Sequence, residues 1–454
     1  MDASPEGTTD LSHAPVTLLY YKKLMSATTA IVHPARSIHG TVRIQGDKSI
    51  SHRYAMLSAL ARGTSRFHNF SAARDCSSTL ACVSQLGAQS ERAADTAIEI
   101  IGLGPILQPP NAPLDCGNSG STMRMLSGIL AGQPFTSELF GDESLSRRPM
   151  ARIIKPLSEM GAKISSGDSG RPPLKIQGGH LKAIHYQPEI ASAQVKSCVL
   201  FAGLFADGET IVEEPIRTRD HGELALQAFG AEVERHGNVA TIRGGQHLTA
   251  IEAQVPGDLS SAAFFLCAAA LFPGSQISLP GILMNPTRAR LLDILIQMGL
   301  KITVGQIEQQ HGELVGAIEA RGAEWKGGTI AGADTAALID EIPVLAAAAP
   351  YTENGLEVRD AKELRVKESD RIAAVATNLR KMGAEVEERP HGLRIPGRQK
   401  LHGAEVDSFA DHRIAMAFAI AALRADGETL IQGADAAGVS YPTFFEDLRS
   451  ITGG

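Results

Sequence analysis

The sequence predicts an α/β protein of two lobes, each built from about three copies of one helix–stop–strand unit. Three observations carry that prediction. A short phrase recurs as Gln85-Leu86-Gly87-Ala88, Glu159-Met160-Gly161-Ala162, Ala228-Phe229-Gly230-Ala231, Gln297-Met298-Gly299-Leu300 and Lys381-Met382-Gly383-Ala384, at intervals of roughly 70 to 85 residues. Each copy closes a helix-like stretch and usually precedes an apolar-alternating one, such as Lys163-Ile164 or Glu385-Val386-Glu387. Finally, two similar openings, Gly46-Asp47-Lys48-Ser49 and Gly257-Asp258-Leu259-Ser260-Ser261, divide the chain into halves of about three repeats.

The physics of the phrase is a glycine just past a helix, where the left-handed conformation carries no Cβ clash. The worn stretch Leu448-Arg449-Ser450-Ile451-Thr452-Gly453 reads as a sixth copy. Strand–helix alternation calls for sheets covered by helices, and two similar halves suggest a cleft between lobes, where small-molecule sites form.

Taken in order, residues 1–30 carry no motif, lack the apolar core of a signal peptide and hold Asp2, Glu6 and Asp10. They read as a loose leader, with Met25 as an alternative start. Residues 31–44 read as a strand pair with Val32, Ile38, Val42 and Ile44 as apolar positions. A helix is expected from about Ser49 through Leu60, with Gly63 as its stop, and alternation then continues to about Gly245. The runs 261–272, 342–349 and 414–423 fall short of the ~20 apolar residues a membrane span needs and read as buried, alanine-rich helices.

A chain of 454 residues is too long for one ordinary core. Its formal net charge of −7 argues against nucleic-acid or membrane-surface binding, so any anion must meet a local basic pocket in an acidic body. The five cysteines, Cys76, Cys82, Cys116, Cys198 and Cys267, include no C-x-x-C pair and read as reduced, buried thiols.

Basic and small polar residues gather at turns that lead into helices. Lys48-Ser49-x-x-x-Arg53 combines a helix start, whose free N–H groups favour an anion, with two cations. It lacks the upstream glycine of a P-loop. In Asp115-Cys116-Gly117-Asn118-Ser119-Gly120-Ser121-Thr122-Met123-Arg124, small residues let backbone N–H groups approach a ligand. Ser144-Leu145-Ser146-Arg147-Arg148-Pro149-Met150 is another basic turn, as are Ser192-Ala193-Gln194-Val195-Lys196-Ser197 and Thr218-Arg219-Asp220-His221. In Leu364-Arg365-Val366-Lys367-Glu368-Ser369-Asp370-Arg371, Lys367 and Arg371 are spaced for one helical face beside Glu368. Asp340-Glu341 precedes an apolar helix, where it reads equally as a helix cap, and Asp411-His412-Arg413 precedes another, where a His is more often structural than catalytic. Together these residues point to a two-lobed enzyme acting on small molecules with several phosphate or carboxylate groups, with Asp340 and Glu368 available for proton transfer.

Four of these motifs, 46–53, 117–124, 364–371 and 411–413, make the chain resemble the enolpyruvyl transferase family over about residues 38–450. The resemblance implies two lobes, each of three βαβαββ repeats around a pseudo-threefold axis. It places the crossings near Gln45-Gly46 and Val255-Pro256, so that 31–45 plus 256–454 form a lobe holding both termini and 46–255 an inserted lobe, with the active site in the cleft. The implied reaction joins phosphoenolpyruvate to the 5-hydroxyl of shikimate 3-phosphate and releases phosphate, in the shikimate pathway of aromatic amino-acid biosynthesis, without metal or organic cofactor. By resemblance, shikimate 3-phosphate meets Lys48, Ser49, Arg53, Ser192, Ala193, Gln194, Arg219, Asp340 and Lys367. Phosphoenolpyruvate meets Lys48, Gly120, Arg124, Arg148, Gln194, Arg371 and Arg413, and the catalytic groups are Asp340, Glu368 and Lys48. Closure of the lobes on substrate is expected.

Two positions depart from the family: Gln45 stands where proline is common, and Val439 where many members have lysine. Glyphosate competes with phosphoenolpyruvate in this family, and tolerant members can carry alanine where this chain has Gly120, so inhibition is expected. The sister transferase acting on UDP-N-acetylglucosamine relies on a loop cysteine, which Cys116 does not match in place. A non-catalytic anion-binding regulator on the same fold is the other alternative, and retention of both Asp340 and Glu368 speaks against it. A monomer in the bacterial cytoplasm, with no nucleic-acid or membrane partner, is the expected setting.

Overall fold

The computed structural model describes residues 29–92 and 96–452; residues 1–28 of the expected leader, with Met25, and Gly453 lie outside them, while the leader's last two residues, Thr29 and Ala30, are not loose but open a strand. All five repeated glycines have positive φ: +98° at Gly87, +110° at Gly161, +91° at Gly230, +108° at Gly299 and +88° at Gly383. Each ends its helix in the same two bonds. The residue after the glycine donates its N–H five residues back, as in Ala88 to Val83, Ala162 to Leu157, Ala231 to Leu226, Leu300 to Leu295 and Ala384 to Leu379 (2.9–3.1 Å), while the glycine donates three back. This is the Schellman stop, and the buried side chain that follows each glycine supplies its apolar contact.

Beyond each stop the chain enters an antiparallel hairpin whose second strand pairs with a central strand, which in turn takes a parallel neighbour. Thr136–Phe140, for example, pairs antiparallel with Arg171–Gln177 and parallel with Leu114–Asp115, and Lys163–Gly167 lies outermost. The same order recurs around Glu209–Glu213, Ala61–His68, Gln276–Leu283 and Leu356–Val358. Three sheets recruit distant strands. Leu248–Thr249 and Glu252–Gln254 return to pair with Ala61–His68, and His39–Thr41 pairs with Gln276–Leu283. Thr29–Val32 pairs antiparallel with Thr429–Gln432. The expected strand pair at 31–44 is therefore not a pair: its two strands join different sheets. Gly63, expected as a helix stop, lies inside the strand Ala61–His68 at φ +104°, and the helix ends instead as Ala61 turns extended.

Two hydrophobic cores form. One gathers buried residues of 50–255 together with Leu283, the other those of 32–44 and 259–451. Each is threaded by three inner helices: Lys48–Leu60, Gly120–Ala131 and Ala193–Gly203 in the first, Leu259–Ala270, Ile342–Ala348 and His412–Ala422 in the second. The second three are buried at every residue, as the alanine-rich runs predict. Small residues let these helices pack closely: a Cβ on Gly128 would sit 2.1 Å from the Cys198 carbonyl of the neighbouring helix. The passages between the cores run side by side, Asp47 donating its N–H to Pro256 O (2.7 Å) and Asp258 to Gln45 O (3.0 Å). Gln45 also donates through its side chain to the Ser440 carbonyl. Among the described residues no helix is long and apolar enough to cross a membrane.

Candidate active site

In the first core's inner helices, the residues that escape burial lie at or near the starts: Lys48 and Ser49, Ser121 and Arg124, Ala193 and Gln194. Those starts are capped by side chains from within. Asp47 accepts from Ile50 N (2.9 Å), Ser119 from Thr122 N (3.0 Å) and Ser192 from Val195 N (3.4 Å). In the second core Asp258 accepts from Ser260 N (2.8 Å) and Asp411 from Arg413 N (2.9 Å), while Glu341 precedes Ile342–Ala348 without a side-chain cap. With caps bonding only part of each first turn, the positive ends of these helices remain to attract anions.

Two carboxylates sit among arginines drawn from both cores. Asp340 lies 2.9 Å from Arg219 Nη2, 3.7 Å from Arg371 Nη1 and 3.9 Å from Arg413 Nη2, and its carbonyl accepts from Arg413 Nη1 at 2.8 Å. Burial opposes its ionisation, yet Arg413, Arg219, Lys367 and Arg371 outweigh burial and hold its carboxyl well below the usual range. Glu368 accepts from Arg371 Nη2 (2.6 Å) and lies 3.5 Å from Arg148 Nη1. Burial likewise opposes its charge, and Arg371, Arg148, His412 and Lys367 hold it well below the usual range. Arg371, only 1% exposed, also donates through Nε to Asp411 (2.8 Å), which fixes its plane.

The remaining candidates are each anchored by partners of their own. Lys48 Nζ is 3.0 Å from Asp75, and although burial works against its charge, Asp75 raises its pKa and keeps it cationic. Arg53 donates to the Ser49 carbonyl (2.8 Å) and Ser197 Oγ (2.9 Å); burial lowers its pKa to about 10, which still leaves it charged at neutral pH. Arg124 donates to Gln194 Oε1 (2.7 Å), and Gln194 donates to Ser121 Oγ (2.9 Å), so these side chains brace the starts of two helices against each other. Arg148 is held by the Asn118 carbonyl (3.3 Å), Asn118 Oδ1 (2.7 Å) and Ser144 Oγ (3.0 Å). Gly120 opens its helix where a Cβ would approach Arg124 Nη1 to 2.8 Å and Arg148 Nη1 to 3.5 Å.

Lys367 departs from its expected setting. Residues Lys362–Val366 form a 3₁₀ turn, Lys367 is extended, and the helix begins at Arg371 under an Asp370 cap. Lys367 and Arg371 thus do not share a helical face; they meet because both approach Asp340. Burial lowers the Lys367 pKa, with Asp340 opposing and Arg371 adding to the shift. Cys116 is fully buried, and its neighbour Cys82 and its burial push the thiol well up, so it is no thiolate nucleophile. Among the described residues no group of three or more His, Cys, Asp or Glu side chains is placed to hold a metal ion.

Sequence reasoning missed Asp75 and, behind the site, Arg288. The buried Arg288 guanidinium joins the two passages between cores, reaching Asp47 (3.2 Å), Asp258 (3.3 Å) and Ser260 Oγ (2.6 Å). Its setting, Asn285-Pro286-Thr287-Arg288, has no period or charge cluster that would have marked it.

Comparison with known proteins agrees with this geometry. The family model described as EPSP synthase (3-phosphoshikimate 1-carboxyvinyltransferase) matches residues 32–448. A 3-phosphoshikimate 1-carboxyvinyltransferase of Koribacter versatilis is 62% identical over 420 residues, covering 92% of this chain and 98% of the relative. That of Solibacter usitatus is 56% identical over 421 residues, 92% and 99% of the two. The solved EPSP synthase of Acinetobacter baumannii superposes with a TM-score of 0.84 at 41% identity, covering 93% of this chain and 98% of that one.

Proposed function

The chain belongs to the EPSP synthase (3-phosphoshikimate 1-carboxyvinyltransferase) family, and from that premise we propose how its residues divide the work. The reaction transfers the enolpyruvyl group of phosphoenolpyruvate to the 5-hydroxyl of shikimate 3-phosphate and releases phosphate. The observation that carries the assignment of roles is the pair Asp340 and Glu368, ringed by Arg148, Arg219, Arg371 and Arg413 from both cores.

Shikimate 3-phosphate is held by Lys48, Ser49 and Arg53, by Ser192, Ala193 and Gln194 at a helix start, and by Arg219; Lys367 and Asp340 face its hydroxyls. Phosphoenolpyruvate occupies Lys48, Gly120, Arg124, Arg148, Gln194, Arg371 and Arg413. In a site shielded from water these cations stabilise developing charge far better than they would in bulk, and one such donor is commonly worth about 10²–10³ in kcat.

Asp340 takes the proton of the 5-hydroxyl as its oxygen attacks C2 of phosphoenolpyruvate. Glu368 gives a proton to C3, and Lys48 balances the phosphate. The tetrahedral adduct then expels phosphate from C2 and returns a C3 proton to the site. The electrostatics favour this division once substrate is bound. Anionic substrate draws Arg219 and Arg413 away from Asp340, which makes it a stronger base. It likewise draws Arg148 and Arg371 away from Glu368, whose pKa then rises toward that of an acid able to donate. Arginines from both cores meeting one ligand support closure on binding.

Residues 31–45 plus 256–454 and 46–255 are the two proposed lobes, with a cytoplasmic monomer as the working form. The net charge of −7 supports small-molecule rather than nucleic-acid partners. Glyphosate is the proposed competitor at the phosphoenolpyruvate subsite.

The test is phosphate release by purified protein with phosphoenolpyruvate, offering shikimate 3-phosphate and UDP-N-acetylglucosamine separately. Release with shikimate 3-phosphate alone is expected. Release with the sugar nucleotide alone would overturn the acceptor, and silence with both from folded protein would overturn catalysis.

A further inference from the structure

Behind the shikimate 3-phosphate residues lies a buried ionic chain to which no role above is given. Lys196, 3% exposed, sits in the third turn-start of the site on the helix Ala193–Gly203, with Nζ 2.8 Å from Glu214 and 2.8 Å from Glu223. Both carboxylates are as deeply buried. Charges taken this far from water are costly unless they are paired and oriented, and replacing such a group by packed hydrocarbon is often neutral or stabilising. Stability alone therefore gives a weak reason for the cluster.

Its connections give a better one. On one side, Glu223 is the leading carboxylate acting on Arg53. On the other, Glu214 closes the turn that follows it, accepting from Thr218 N (3.2 Å) and Thr218 Oγ1 (2.5 Å). The next residue is Arg219, whose guanidinium crosses to Asp340. The far side of Arg219 is fixed as well, since Asp220 accepts from Arg217 (2.8 Å), Arg235 (2.9 Å) and Asn285 (2.8 Å). An arginine on the turn between the strand Glu209–Glu213 and the helix His221–Ala228 would otherwise sample many rotamers, and its value to a ligand depends on being held in one.

We propose that Lys196 and Glu214 are positioning residues for substrate binding, aiming Arg219 at shikimate 3-phosphate through the closed 214–218 turn. The inference rests on the reading of Arg219 as a shikimate 3-phosphate contact. It makes the buried Lys196–Glu214 pair a determinant of affinity for that substrate and not for phosphoenolpyruvate.

The test is steady-state kinetics of Glu214→Gln, Arg219→Gln and the double variant, with thermal midpoints alongside. Glu214→Gln preserves shape and leaves Lys196 paired with Glu223. It should raise KM for shikimate 3-phosphate by roughly three- to tenfold, with kcat and KM for phosphoenolpyruvate within about twofold. If Glu214 acts through Arg219, the double variant will be no worse than Arg219→Gln alone; effects that multiply would overturn the inference. So would an unchanged KM in Glu214→Gln while Arg219→Gln raises it. An unchanged KM in Arg219→Gln itself would instead remove the reading on which the inference stands. Thr218→Val, which alters no charge, probes the same link with the same expectation if Glu214→Gln folds poorly.

Discussion

Arg219 reaches from one core to the other and places its Nη2 2.9 Å from Oδ2 of Asp340. The proposed base and a proposed substrate-binding cation thus hold each other in the described state, and anionic substrate must come between them. Asp340→Asn should lower kcat by about 10²–10⁴, the usual contribution of a positioned proton acceptor. Phosphate release at saturating substrates checks this, and a kcat within tenfold of wild type would remove Asp340 from the role.

The acidities of Glu368 and its surroundings set a pH dependence of stability. Its folded pKa is held below the unfolded value of about 4.3, so its pairing stabilises above that pH and is lost as pH falls through the lower folded value. The thermal midpoint of Glu368→Gln should therefore lie below wild type between about pH 6 and 7, and the gap should close only below about pH 4. Differential scanning calorimetry across that range reads it, and a gap that widens on acidification would contradict the arginine pairing.

At Gly120 a methyl group would enter the space of Arg124 and Arg148. Both contacts are with the ends of long side chains, so the fold should tolerate Gly120→Ala while the phosphoenolpyruvate subsite narrows. The expected outcome is inhibition of wild type by glyphosate, competitive with phosphoenolpyruvate. In Gly120→Ala the inhibition constant should rise by a larger factor than KM for phosphoenolpyruvate. Equal rises in the two would show that the position does not discriminate.

Arg288 serves stability at the passage between cores. Removing it strands Asp47 and Asp258, both buried, and losing one partner of such a group costs about 3–5 kcal/mol. Arg288→Ala should lower the urea midpoint accordingly; a change under about 1 kcal/mol would mean that water or Ser260 compensates.

The helix stops separate strain from clash. A Cβ at Gly230 would meet nothing within 4 Å, so Gly230→Ala should cost only the left-handed backbone penalty of about 1–2 kcal/mol. At Gly299 the same Cβ would lie 2.3 Å from the Glu324 carbonyl, and Gly299→Ala should cost clearly more. Paired denaturation curves decide it.

Local chemistry explains what could be read from the chain. The Schellman glycines, the alanine-rich inner helices and the basic helix starts each depend on neighbours within a few residues, so their spacing disclosed them. Strand character could be seen within 31–44, but Thr29 and Ala30 read as leader, and the partners of Thr29–Val32 and His39–Thr41 lie hundreds of residues away. Lys367 and Arg371 have helical spacing, and only the Asp370 cap and the extended backbone at Lys367 show that the helix starts later. Arg288 and the Lys196–Glu214 pair escaped because a buried ion pair is defined by its partner, which no local pattern names.

The pairing of Thr29–Val32 with Thr429–Gln432 also imposes an order on assembly. The strand that emerges early has its partner some 400 residues later, and at ordinary rates of synthesis that is a wait of about 20–80 s. Throughout it, an early strand edge stands open while the other core already has every strand it needs by residue 254. From residue 254 to residue 429 the nascent chain thus carries one half with all its strands and one half without. The second half completes this sheet only when Thr29–Val32 meets Thr429–Gln432.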